Sequence, residues 1–165
     1  MKIKILLIIN YDHSYDQLSY YDDWVKSFVD NKKINLVIVD YRKVYSDVNE
    51  DFDFIFLHHS TNADSLKPLE YIKDFLEIRK EEKLIFVGNE FNNIFSPIKE
   101  KRKLFKELSI SFICSMLMEK GAHYLWSDIA KKKVLLTPPA LNKNHFFSQQ
   151  KYENRKFDIG FKGIK

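Results

Sequence analysis

The chain has 165 residues, 45% of them hydrophobic and 30% charged, with a net charge of +4. That is the size and balance of one globular α/β-sized domain with a real core, too short for two full ones. Its basic residues are scattered among acidic ones (Lys32-Lys33, Lys99 to Lys106, Lys131 to Lys133). A nucleic-acid binder would gather them on one face with aromatics between, so no nucleic-acid partner is expected.

In chain order, Ile3 to Ile9 is a continuous β-branched run, the pattern of a strand buried on both faces. It is too short to span a membrane, and no small-residue cleavage site follows it, so cytoplasmic residence is the expectation. A polar loop, Asn10 to Gln17, leads to a helix over about Tyr20 to Asp30, with Tyr21, Trp24, Val25, Phe28 and Val29 on one face. Leu36 to Val39 and Asp53 to Leu57 are predicted strands.

Ser65 to Arg79 is predicted as one helix, with Pro68 in its first turn, where a missing N–H costs nothing. Leu84 to Val87 is a strand ended by Gly88, Ile98 to Leu108 a basic helix, and Ile110 to Cys114 a strand in which Cys114 packs as a small buried hydrophobe. Met116 to Ile129 is a helix weakened by Gly121, and Val134 to Leu136 a short strand stopped by Pro138-Pro139. The alternation predicts a Rossmann-like open parallel sheet with helices on both faces. The polar stretch 142–156 separates this unit, residues 1–141, from a last strand-like run at 157–165. That run ends in a glycine turn with no crossover helix after it, as expected for the first strand of a second, truncated domain.

In an open parallel sheet ligands bind beyond the carboxyl ends of the strands. The candidates there are Asn10, Tyr11, Asp12 and His13 after the first strand, His58, His59 and Ser60 after the third, and Asn89 and Glu90 after the fourth. An imidazole titrating near neutrality can take a proton from an attacking hydroxyl, which makes His58 and His59 the candidate bases. Side chains alternate along a strand end, so at most one of the two faces the cleft unless the backbone bends. The plainer alternative has His59 ordering the loop while His58 packs. Asp12 either orients His13 or caps a turn, and Glu90 either binds hydroxyls or caps a helix. No G-x-G-x-x-G, Walker loop or G-x-S-x-G occurs, so a dinucleotide domain, a P-loop enzyme and an α/β-hydrolase are not expected. The acidic pair of a response-regulator receiver is missing too. No Cys/His spacing suggests a metal site, and no cofactor is expected.

These residues resemble a known family. Asp53-Phe54-Ile55-Phe56 with His58-His59-Ser60 looks like the third-strand region of GT-B glycosyltransferases, in particular the family-1-like, spore-maturation-type group. Phe112-Ile113-Cys114-Ser115, Ala122-His123-Tyr124, Val134 to Asn142 and Phe146 resemble that family's exit from its N-terminal domain. Arg155 to Gly163 resembles the opening strand of its second domain. The resemblance implies the N-terminal, acceptor-side half of a metal-independent enzyme that moves a sugar from a nucleotide-sugar donor to a sugar or envelope acceptor. His58 or His59 and the first loop would line the interdomain cleft. The groups that hold the donor are not in the matched residues, so the resemblance implies a chain inactive alone, and it admits peripheral membrane association or self-association. Two alternatives stay open: a non-catalytic Rossmann-like module that pairs with a partner through the final run, and a small nucleotide- or phosphate-binding enzyme, for which the sequence offers no strong cradle.

Overall fold

The computed structural model describes residues 2–10, 20–91 and 94–137, with the backbone alone at 20–23. Six parallel strands, β1 (Ile3–Ile9), β2 (Ile34–Asp40), β3 (Phe54–Leu57), β4 (Glu82–Phe86), β5 (Phe112–Ser115) and β6 (Lys133–Leu136), form one sheet in the order β2-β1-β3-β4-β5-β6. The Rossmann-like open α/β sheet is therefore present, in the flavodoxin-like order that begins 2-1-3 rather than the dinucleotide-binding 3-2-1. The order in which strands are added reverses between β1 and β3, and that switch point is where the edge opens a crevice.

The helices follow from the topology. With right-handed crossovers, the step from β1 to β2 and the steps from β2 through β6 run in opposite directions across the sheet, so their helices fall on opposite faces. α1 (Tyr20–Val29) lies on one face, where Trp24, Val25 and Phe28 pack against Ile5, Leu7, Phe56 and Phe86. On the other face lie α2 (Val44–Asp47), α3 (Lys67–Tyr71), α4 (Lys73–Ile78), α5 (Ile98–Glu107) and α6 (Glu119–Trp126). Their Val44, Leu69, Leu76, Phe105 and Trp126 cover Leu6, Ile8, Ile55 and Ile113. None of these helices is long and apolar enough to cross a membrane.

Several boundaries differ from expectation for local reasons. The helix predicted over Ser65 to Arg79 is broken at Ile72 (φ −95°, ψ 10°) into α3 and α4. The Tyr71 carbonyl, which would continue the helical ladder, accepts instead from the Tyr45 hydroxyl at 3.1 Å. Ile78, placed on the apolar face by periodicity, is exposed, as is Val29 of α1. The turn Tyr41–Lys43 is capped by Asp40, whose carboxylate accepts from the Arg42 backbone N–H at 2.9 Å. The helix predicted over Met116 to Ile129 keeps only its centre, Glu119–Trp126. The 1–141 boundary, the 142–156 linker and the final 157–165 run lie outside the described residues, except that the domain is seen as far as Thr137.

Candidate functional site

The loops at the carboxyl ends of β1, β3, β4 and β5 are stitched into one rim by side chains. The ladder runs one residue past the strands, His58 N–H donating to Ile8 O at 3.0 Å and Val87 N–H to Cys114 O at 3.0 Å. Then side chains take over. Asn10 N–H donates to Ser60 Oγ at 3.0 Å, joining the β1 and β3 loops. Asn62 bridges β3 to β4: its Nδ2 donates to Phe86 O at 3.0 Å and its Oδ1 accepts from Gly88 N–H at 2.8 Å. Ser96 Oγ donates to Asn62 O at 3.1 Å.

Gly88 is required by close approach. A Cβ there would stand 2.6 Å from Ala63 Cβ and 2.8 Å from both Ala63 Cα and His59 O. The next residue, Asn89, has φ 51°, a left-handed conformation that Asn tolerates better than most residues. Its Nδ2 donates to Ala63 O at 2.9 Å and to Asp64 Oδ1 at 3.3 Å. The β4 loop is thus pressed against the β3 loop through the smallest side chains in both.

Both candidate imidazoles sit inside this rim, each 1% exposed. Alternation along the strand had allowed only one of them to face the cleft. The backbone instead bends at once into a 3-10 turn, His59–Thr61, and brings the rings side by side with centroids 3.9 Å apart. His58, rather than His59, orders the loop: its Nδ1 accepts from Ser60 N–H at 3.2 Å and lies 2.8 Å from Ser60 Oγ. An accepting Nδ1 places the proton of a neutral ring on Nε2. His59 packs on Phe86, with centroids 5.1 Å apart. Burial holds His58 well below the usual imidazole range, with His59 beside it adding to the effect. Burial alone lowers His59 to about 3. Both rings are therefore neutral at physiological pH, available as hydrogen-bonding groups rather than cations.

Glu90 is turned inward. Its Oε1 accepts from Ser115 Oγ at 2.6 Å and from Trp126 Nε1 at 2.7 Å, and its Oε2 accepts from Met116 N–H at 2.7 Å. The carboxylate anchors the β5 loop and α6 to the β4 loop, with both oxygens committed to protein donors. Sequence reasoning missed its cationic neighbour. Lys101 is fully buried, and its Nζ donates to Gly88 O and to Asn89 O. Burial pushes Lys101 down to about 8, against the pull of Glu90 and Asp64. The signal was in the spacing: Ile98, Lys101, Leu104, Phe105 and Leu108 share one stripe of α5, so Lys101 belongs to the packed face and not to the basic one. Cys114 is buried as expected, its thiol raised to about 12.

Of the predicted acceptor-binding residues, Asn10, Ser60 and Asn89 come together on this rim, and Glu90 lies beneath it. Tyr11, Asp12 and His13 lie outside the described residues. Beyond Glu90 the surface turns apolar: Phe91, Ile94 and Phe95 are 68%, 84% and 72% exposed. Among the described residues no group of three or more His, Cys, Asp or Glu side chains converges to hold a metal ion. With the Ser60 hydroxyl engaged by Asn10 N–H and His58 Nδ1 and the Asn89 Nδ2 by Ala63 O and Asp64 Oδ1, the rim can offer a ligand the amide oxygens of Asn10 and Asn89, with aromatic surface to one side. No protein-family model matches this chain, and neither a curated protein nor a solved structure matches it.

Proposed function

We propose that this chain is the acceptor-side half of a glycosyltransferase, which presents an acceptor hydroxyl to a nucleotide-sugar donor held by a second lobe. One observation carries the reading: the Asn10, Ser60 and Asn89 loops form a single hydrogen-bonded rim at the switch point of an open parallel sheet. The neutral amide groups of Asn10 and Asn89 and the exposed Phe91 and Phe95 suit a sugar, which needs hydrogen bonds for its hydroxyls and an apolar surface for its C–H face. The absence of a glycine cradle after β1 fits a half that does not hold the diphosphate. Cytoplasmic residence and an envelope acceptor belong to the same reading.

The buried imidazoles sharpen the chemistry. A neutral His58 or His59 accepts a proton without first losing one, but a folded-state value near 3 makes His59 a weak base. In this reading His58 or His59 serves the acceptor hydroxyl as a neutral hydrogen-bonding group. The exposed Phe91, Ile94 and Phe95 favour a second reading, a non-catalytic module that pairs with a partner through this apolar lip.

Saturation-transfer binding with the full chain separates the two. The first reading expects simple methyl hexosides or oligosaccharides to bind, free nucleotides and nucleotide sugars not to bind, and no donor hydrolysis. Turnover of a nucleotide sugar by this chain alone, or nucleotide binding without sugar binding, contradicts it. Indifference to every sugar, with stable capture of a protein partner lost on Phe91→Ser, supports the second.

A further inference from the structure

The sheet ends laterally on β2 and β6, and these two edge strands are built differently. β6 is four residues long, opens on Lys133 and follows Lys131 and Lys132, all three lysines being exposed. Short length and lysine are the usual guards of a sheet edge, because a pairing strand would have to desolvate the charge. β2 has neither guard. It runs seven residues, Ile34–Asp40, in unbroken register with β1. The six residues from Ile34 to Val39 include no charge and no proline.

The outer side of β2 is a row of hydrogen-bonding groups. Ile3 N–H donates to Lys33 O at 2.9 Å, which sets the parallel pattern. Lys33, Asn35, Val37 and Val39 bond towards β1, while Leu36 and Ile38 point their N–H and C=O groups outward. Among the described residues no strand pairs with that side. The side chains are incompletely covered too: Leu36 and Val37 are half-buried, and Ile38 is 40% exposed. Val29 at the end of α1 and Tyr45 in α2, the helices that lie against β2 on its two faces, are exposed as well.

We propose that β2 pairs antiparallel with β2 of a second copy of this chain, across a two-fold axis normal to the sheet at Val37, giving a dimer with one continuous sheet. Val37 is the midpoint of the strand, so all of its residues take part. Ile34 of one copy lies opposite Asp40 of the other, Asn35 opposite Val39, Leu36 opposite Ile38 and Val37 opposite Val37, and no like charges meet. Leu36 and Ile38, both pointing outward, exchange their N–H and C=O groups as the closely bonded pairs of an antiparallel ladder. An antiparallel junction in an otherwise parallel sheet is common. A second copy fits this edge better than a foreign strand for two reasons. The edge is self-complementary under the rotation, as an isologous contact requires. The assembly also closes: both free edges of the dimer are β6, and lysines guard each.

Sedimentation equilibrium on the full chain tests the dimer. A dissociation constant of about 10 μM or tighter is expected. Ile38→Lys puts a guard on the exposed position and should weaken association at least about thirtyfold while the far-ultraviolet spectrum is retained. Leu136→Lys, on the exposed end of β6, should leave the dimer unchanged. If Ile38→Lys does not fold, hydrogen exchange on the unaltered chain decides: the Leu36 and Ile38 amides are expected to exchange at least about fivefold slower at about 200 μM than at about 1 μM. A chain that stays monomeric at about 200 μM would overturn the proposal. So would a dimer that survives in folded Ile38→Lys, a dimer lost on Leu136→Lys, association that continues beyond two copies, or Leu36 and Ile38 amides indifferent to concentration.

Discussion

At the amino ends of the strands charge stays in water, except for a small, largely buried group beside β4, Arg79 with Glu81 and Lys83. Lys4 meets Glu50 at 2.7 Å with the two side chains 30% and 54% exposed, and Lys132 meets Glu82 at 2.7 Å with 55% and 35%. At the carboxyl ends the polar groups are inside: His58, His59, Thr61, Asn62, Ser96, Lys101 and Ser115 are almost wholly buried, and Glu90 nearly so. The first kind of pair is screened and contributes little. The second kind must be satisfied in full or it destabilises the fold. The exposed pairs of the amino end are thus tolerant of change, while the carboxyl end is an interlocked construction in which four loops depend on one another. An edge that only needed to be soluble would not require such an arrangement.

The contrast can be broken first at Glu90. Glu90→Ala strands the Trp126 indole N–H, the Ser115 hydroxyl and the Met116 N–H, and leaves Lys101 with Asp64 alone of its two acidic neighbours. A loss of about 3–5 kcal/mol in urea unfolding is expected, with Glu90→Gln recovering part of it because one oxygen and the volume remain. Gly88→Ala comes next. Its new Cβ would press on Ala63 and on the His59 carbonyl, both in the β3 loop, and should cost about 1–3 kcal/mol.

The buried imidazoles give the carboxyl edge an acid sensitivity that begins near neutrality, above the range in which the Lys132-paired Glu82 of the amino edge takes up its proton. Both have folded-state values below the unfolded value near 6.5. Below that pH the unfolded chain takes up protons that the folded chain refuses, so stability is full above about pH 6.5 and falls as pH drops towards 3. The expected slope is about 1.4 kcal/mol per pH unit for each imidazole, read from urea midpoints between pH 7 and 5, and His59→Gln should remove its share. At the amino edge, Lys132→Ala should cost under about 1 kcal/mol, a difference that vanishes at about 1 M salt. A large, salt-insensitive loss there would erase the contrast.

Much of the frame was readable from the residues, because hydrophobic runs on a parallel sheet are long and unbroken. Ile3 to Ile9 was placed to the residue, and the other five strands overlapped their predicted positions. β2 and β4 begin two residues earlier than their apolar cores, since ladder bonds extend to Ile34 and Glu82 regardless of side-chain polarity. The break at Ile72 was not readable, because it depends on a tyrosine contributed from 26 residues away. The carboxyl edge was correctly located by strand ends, but the roles within it were not. Glu90 reads as surface until its partners Ser115, Met116 and Trp126 are known, and Lys101 reads as surface unless its place on the apolar stripe of α5 is weighed. His58 and His59 look like titrating groups in the sequence, and only burial shows that they remain neutral.

The central claim is that the Asn10, Ser60 and Asn89 loops form one receiving rim for an acceptor sugar. Amide chemical-shift mapping of the full, isotopically labelled chain during titration with a methyl hexoside tests it most directly. Shifts concentrated at Asn10, Ser60 to Asn62 and Gly88 to Phe91, leaving Lys4, Arg79 and Lys132 unmoved, are the predicted result. Saturable shifts confined to the amino edge or to the α2–α6 face, with the rim silent, would contradict it.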